Sequence, residues 1–254
     1  MTRRTRAIVF LVGFAGLATL VGVAVLALPA FGTTHHPYRT LAVLAALSHK
    51  TANVVTSITF DQRGIDTFGE ECILLASVVS ASLLLRPSDD ESERHPLSTM
   101  PRLDATRFVG YALLPVSAVI GFDIVAHGTV TPGGGFQGGV VLGTSIHLLY
   151  VAGSYDALER LRPMRLYEWG EARGAGAYAC LGAAGLLASA SFLTNFLPQG
   201  SLGTLFSGGT AALLNGAVGI EVASGMSVLL AHFLRQAIFL RDGEQKRSSG
   251  RSSP

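Results

Sequence analysis

Long apolar stretches divided by short polar or charged ones dominate the chain. Residues 7–34 carry no charged side chain. At 1.5 Å of rise per residue, about 20 apolar residues in a helix cross a bilayer core of about 30 Å, so this stretch predicts a first span. Asn53 to Phe60 is apolar but too short to cross. The second long apolar block follows Asp66-Thr67-Phe68-Gly69-Glu70. Thr67 and Glu70 there have the spacing of a capping box, with Thr67 at the N-cap and Glu70 reaching back from the third helical position. That helix is expected to reach Leu85, where Arg86 and Pro87 end it. Further spans are expected over Phe108–Ala126, 138–153, 174–193 and 210–234. The last two are divided by the uncharged polar break Asn195-Phe196-Leu197-Pro198-Gln199-Gly200. The pattern predicts an all-α membrane protein with about six transmembrane helices.

Charge then sets the boundaries and the orientation. Residues 87–106 hold Asp89, Asp90, Glu91, Glu93 and Arg94 together with Pro96 and Pro101, the composition of a solvated linker. Tyr155 to Arg173 reads as a charged loop with Arg160, Arg162, Arg165 and Arg173, and residues 241–254 as a disordered basic, Ser-rich tail. With both termini in the cytoplasm, only Arg39, Lys50 and Arg63 of the 19 basic residues fall outside, as the positive-inside rule requires. Glu70, Asp66 and the glycine-rich break described below then lie on the outer side. Leu28-Pro29-Ala30 also reads as a cleavage site for a signal peptide. The apolar core before it exceeds the usual 7 to 15 residues or so, which favours an uncleaved first span.

Composition agrees with a membrane protein. The chain is 49% hydrophobic and 14% charged, with a mean hydropathy of +0.44. Soluble domains carry roughly 25% charged residues. Cys72 and Cys180 both fall in apolar runs, where a thiol behaves as a small hydrophobe. No disulfide framework, metal-ligand spacing or catalytic constellation is present in the sequence, so neither an enzyme nor a bound metal or cofactor is expected. A net charge of +2 gives no reason to expect a nucleic-acid partner.

The densest pattern lies between Val119 and His147, where two apolar runs flank Thr131-Pro132-Gly133-Gly134-Gly135-Phe136-Gln137-Gly138-Gly139. Three consecutive glycines can adopt positive φ and bring backbone close to a neighbour, while Pro132 fixes its own φ and extends Thr131. Each glycine at a helix start gives up roughly 1 kcal/mol of propensity against alanine, so the bare backbone must be needed. A phosphate cradle would require a Gly-Lys-Ser/Thr ending, and no lysine follows these glycines. A close-packed turn between helices is the simpler reading.

Ionisable residues inside spans are the candidates for chemistry, because each costs about 2.5 to 3.5 kcal/mol on insertion scales unless it faces protein or water. Glu221, near the middle of the sixth span, fits either ion or proton handling or a structural hydrogen bond; Asn215 and His232 share its helix. His147 reads as a satisfied core histidine or a proton carrier. Asp123 and His127, four apart, can pair across one helical turn beside the glycines. Ala179, Gly182, Ala183, Gly185, Gly216 and Gly219 suit close helix approach in lipid.

The segment His127-Gly128 followed by Thr131 to Gly139 and a long apolar helix resembles the signature of the B subunit (MnhB/MrpB) of multisubunit Na⁺/H⁺ antiporters. The resemblance runs from about Arg107 to Arg241 and includes Gly219-Ile220-Glu221-Val222-Ala223. Asn53 to Arg86 resembles the C-terminal part of the antiporter A subunit, which is related to a small subunit of membrane-bound hydrogenases (MbhE-like). There it implies a short re-entrant or interfacial piece followed by a helix start. The implied organisation is a two-span MbhE-like region at 1–86, a cytoplasmic linker at 87–106, a four-span MnhB-like domain at 107–240 and the tail. The chain lacks the repeated broken helices of a complete transporter. The resemblance therefore implies an accessory subunit of a monovalent cation/proton antiporter in the bacterial plasma membrane, with other antiporter subunits, Na⁺ and H⁺ as partners. Its ion-path candidates are Glu221, Glu70, Asp66, Asp123 and His147. The alternative it leaves open is an ion-coupling subunit of a hydrogenase-like redox complex.

Overall fold

The computed structural model describes residues 3–28, 36–85, 103–152, 163–189 and 191–250. Every regular element among them is helical: α1 (Arg3–Leu26), α2 (Pro37–Ser48), α3 (Val54–Ser57) running into a π turn at Ile58–Gln62, α4 (Gly64–Leu84), α5 (Asp104–Ala126), α6 (Gly135–Ala152), α7 (Met164–Ser189) and α8 (Thr210–Gly250). Four are long and apolar enough to cross a membrane, namely Arg4–Leu26, Gly64–Leu84, Asp104–Ala126 and Thr210–Leu234. Helices α6 and α7 stand where the two remaining spans are expected. The chain divides into two compact units, Met1–Thr40 and Leu41–Pro254. In the first, α1 is a single uncharged helix beyond Arg6, with Phe10 and Phe14 stacked at 6.2 Å.

The second unit is built around α8. Over half of its apolar stretch is buried (56%), against 17% for α4 and 11% for α5. Helix α8 packs on α6, α7 and α4, and α5 packs on α6. Small residues set the distances. Gly135, Gly139 and Gly143 fall on successive turns of α6, facing Val218, Val222 and Met226 on the parallel α8. A Cβ at Gly139 would lie 2.7 Å from that of Val222, so these helices meet backbone to side chain. Gly121 of α5 and Gly138 of α6 do the same for the antiparallel pair. On the other side Tyr178 of α7 sits within Phe60, Phe68 and Leu193; it lies 5.8 Å from the Phe68 ring and donates a hydrogen bond to the Gly64 carbonyl at 2.9 Å.

Several boundaries differ from the sequence expectation. Helix α4 begins at Gly64 rather than Thr67, and the Thr67 hydroxyl donates to the Thr59 carbonyl at 2.8 Å. Thr67 and Glu70 therefore form no capping box: the π turn carries the chain into the helix three residues earlier. Met164 to Arg173, expected as loop, is the first part of α7. Its charged residues sit on a helix that continues past the apolar stretch, with the Arg173 guanidinium 5.7 Å from the centre of the Trp169 ring. Helix α8 runs on to Gly250, through residues whose composition suggests disorder; Gln236 to Arg247 contain no proline and many good helix formers. The expected linker at 87–106 falls mostly outside the described residues. Within residues 41–63, Asn53 hydrogen-bonds to the glycine turn, and the segment lies in the same compact unit as α5–α8.

Candidate functional site

The segment 49–63, the glycine turn and the loop 191–209 meet at one end of the second unit, and two asparagines organise them. Asn53 caps α3, its side-chain oxygen accepting from the Val55 and Thr56 N–H groups. Its amide nitrogen lies 2.8 Å from the carbonyls of both Gly128 and Thr131, and the Thr56 hydroxyl donates to the Gly128 carbonyl at 2.6 Å. Asn215, buried in α8, accepts from the Gly135 N–H. Gly133 and Gly134 take φ of 136° and 150°, and a Cβ on Gly134 would lie 2.9 Å from the Asn215 oxygen. Gly135, Gly138 and Gly139 are needed for a different reason, helix contact. The turn is thus the close-packed connection its composition suggests. Asp123 and His127 pair beside it as their spacing predicts, carboxylate oxygen to Nδ1 at 2.9 Å, in a partly exposed position.

Farther from that end three acidic side chains are almost wholly withdrawn from solvent. They are Glu71 of α4 (1% exposed), Glu171 of α7 (4%) and Glu221 of α8 (0%). A Cβ on Gly174 would come within 2.6 Å of the Glu221 Cβ, so α7 and α8 are in near contact at this level. The Glu171 carboxyl lies against Gly225, one turn beyond Glu221. The Glu71 and Glu221 carboxyls are neighbours that act on each other, and among the described residues no donor is directed at any of their four oxygens. Glu171 in turn feels Glu221. Among the described residues, Glu70 and Cys72 also act on Glu71, and Glu168 on Glu171; none of these is cationic.

Such an arrangement is costly for a purely structural element. Removing one carboxylate from water into protein carries several kcal/mol of desolvation, roughly, unless a cation and hydrogen bonds compensate. Two unit charges about 4 Å apart repel by about 4 kcal/mol at an effective dielectric of 20. Three acids gathered with no cationic group among those that the described residues show acting on them are suited to taking up a proton or a small cation and passing it on.

Of the residues singled out from sequence, Glu221 stands at the centre of this cluster. Glu70 and Asp66 are exposed, Asp66 pairing with Arg63, so the structure does not bring either into it. His147 is half-buried on α6 and Asp123 belongs to the turn. Glu71 and Glu171 are additions. Their signal is a register: Gly64, Thr67, Glu71 and Val78 form the buried face of α4, and Glu171, Gly174, Tyr178, Gly182 and Gly185 that of α7. Spacings of three, four and seven mark one helical face.

Comparison with known proteins bears on the fold that carries these residues. Residues 105–228 match a family described as a domain related to the MnhB subunit of Na⁺/H⁺ antiporter. An uncharacterized protein of Methanocaldococcus jannaschii is 29% identical over 197 residues, covering 69% of this chain and 74% of its own. Among solved structures, a chain of the membrane-bound sulfane sulfur reductase, an archaeal respiratory membrane complex, is similar with a TM-score of 0.69 and 23% identity, over 91% of this chain and 98% of that one. A chain of the Mrp complex from a Dietzia species is similar with a TM-score of 0.64 and 22% identity, over 91% of this chain and 26% of that longer one. Both structural neighbours belong to multisubunit membrane complexes.

Proposed function

We infer, from the match of residues 105–228 to a domain related to the MnhB subunit of Na⁺/H⁺ antiporter, that this protein is an accessory membrane subunit of a multisubunit monovalent cation (Na⁺)/proton antiporter. It crosses the bacterial plasma membrane six times with both termini in the cytoplasm, as its arginine and lysine distribution supports. The observation that carries the reading is Glu221, fully buried at the middle of the apolar stretch Thr210–Leu234 of the central helix and facing Glu71, with no cationic partner among the described residues. Glu221 and Glu71, with Glu171 beside them, line part of the ion path. The glycine turn, fastened by Asn53 and Asn215, holds the outer end of the helices in register. The lack of a nucleophile or cofactor motif in the sequence supports a role in transport rather than catalysis.

The likeness to a chain of a sulfane sulfur reductase supports a second reading, an ion-coupling subunit of a redox complex built on the same membrane module. Affinity purification in mild detergent separates the two. Antiporter-type membrane subunits alone in the eluate are the expected result. Co-purifying iron-sulfur subunits would transfer the chain to the redox reading, and recovery of the chain by itself would contradict both.

A further inference from the structure

We propose that Glu71 and Glu221 form a proton site rather than a Na⁺ site, sharing a proton that moves between their carboxyl oxygens, with Glu171 as the next acceptor. This rests on the reading of the buried acids as part of an ion path and names the ion they take. The four oxygens of the pair are buried and have no donor among the described residues. Two adjacent buried carboxyls without a cation cannot both be ionised, so a proton or a metal ion must sit between them.

The backbone favours the proton. Sodium sites in helical transporters draw on carbonyls freed where a helix is unwound. Helices α4, α7 and α8 run unbroken past all three acids, so their carbonyls are occupied in the helical ladders. Gly174 pressed against Glu221 leaves the α7–α8 contact too tight for a hydrated ion. The ionisable groups nearest the pair are Glu171 and Tyr178 on α7 and, on the exposed side of α4, Glu70 and Cys72; the Tyr178 hydroxyl already donates to the Gly64 carbonyl. Transfer balances simply: a proton leaving an Oε of Glu71 for an Oε of Glu221 leaves one carboxyl neutral and one ionised both before and after. Glu171, on the side of Glu221 away from the glycine turn, accepts the proton from Glu221 as Glu71 takes up another, so that one carboxyl of the pair stays protonated throughout.

Infrared spectroscopy of the purified complex at neutral pH tests the proposal. A carboxylic-acid C=O stretching band is expected in the wild type, absent in Glu71→Gln/Glu221→Gln and unaltered by saturating NaCl. Should the double variant fail to assemble, dicyclohexylcarbodiimide, which attacks protonated carboxyls in apolar surroundings, is expected to label Glu71 or Glu221 of the wild-type complex, equally with and without NaCl. A band or adduct suppressed by NaCl would show a cation site, and the lack of both band and adduct would show an ionised pair; either overturns the proposal. These readouts concern the pair alone, so they stand apart from the co-purification and exchange results that decide the function of the complex.

Discussion

The side-chain oxygen of Asn215 accepts a hydrogen bond from the Gly135 N–H at 2.9 Å, tying the central helix to the first residue of α6. The same amide returns to the Ala211 carbonyl at 3.2 Å, so the side chain is locked at both ends. Asn215→Ala leaves a buried N–H unpaired, a loss of about 1 to 3 kcal/mol. A lower Tm of the purified complex is expected, and an unchanged Tm would show that water or a neighbouring subunit takes over the N–H.

Gly134 holds a φ of 150° with Asn215 where a Cβ would go. Gly134→Ala combines backbone strain of about 1 to 3 kcal/mol with a clash. Recovery of assembled complex should fall, while Gly176→Ala, a helical position with open space around its missing Cβ, should leave it unchanged. Equal recovery of the two variants would refute the packing account of the turn.

Glu70 and Glu71 are adjacent in sequence but about 100° apart around α4. Only Glu71 faces Glu221. Glu71→Gln is therefore expected to lower cation/proton exchange in everted vesicles more than Glu70→Gln. The opposite order would move the site to the exposed face and to a contact with another subunit.

The structure also decides where topology can be probed. Thr129 is buried and Gly138 is pressed against Val125, whereas Thr131 and Arg165 are exposed. With a membrane-impermeant maleimide, Thr131→Cys should be labelled in intact cells and Arg165→Cys only after permeabilisation. Labelling in the reverse pattern would invert the orientation.

Hydrophobic runs made the helices legible, since span length and composition follow directly from the thickness of lipid. The same reading found Glu221, because a lone acid within a long apolar run stands out whatever surrounds it. The Asp123–His127 pair was equally plain, being local to one turn of helix. Glu71 was obscured because a competing local motif, Thr67 with Glu70, offered an account of that helix start that a π turn at Ile58–Gln62 displaced. Glu171 was obscured by the arginines around it, which made the beginning of α7 read as loop. Asn53 and Asn195 could not have been assigned from sequence: Asn53 holds carbonyls of a turn some 75 residues away, and Asn195 fixes the start of α8 through the Thr210 N–H at 2.9 Å. Such contacts depend on which loops share an end of the bundle, and periodicity does not carry that.

Exchange by the complex assembled with Glu221→Gln tests the central claim most directly. The substitution keeps the shape of the side chain and removes its charge, and assembly is checked by co-purification before transport is measured. Cation/proton exchange in everted vesicles is expected to fall at least about tenfold, the equivalent of about 1.4 kcal/mol in the barrier. Exchange at the wild-type rate from a fully assembled complex would contradict a role for Glu221 in the ion path and leave the subunit as scaffold.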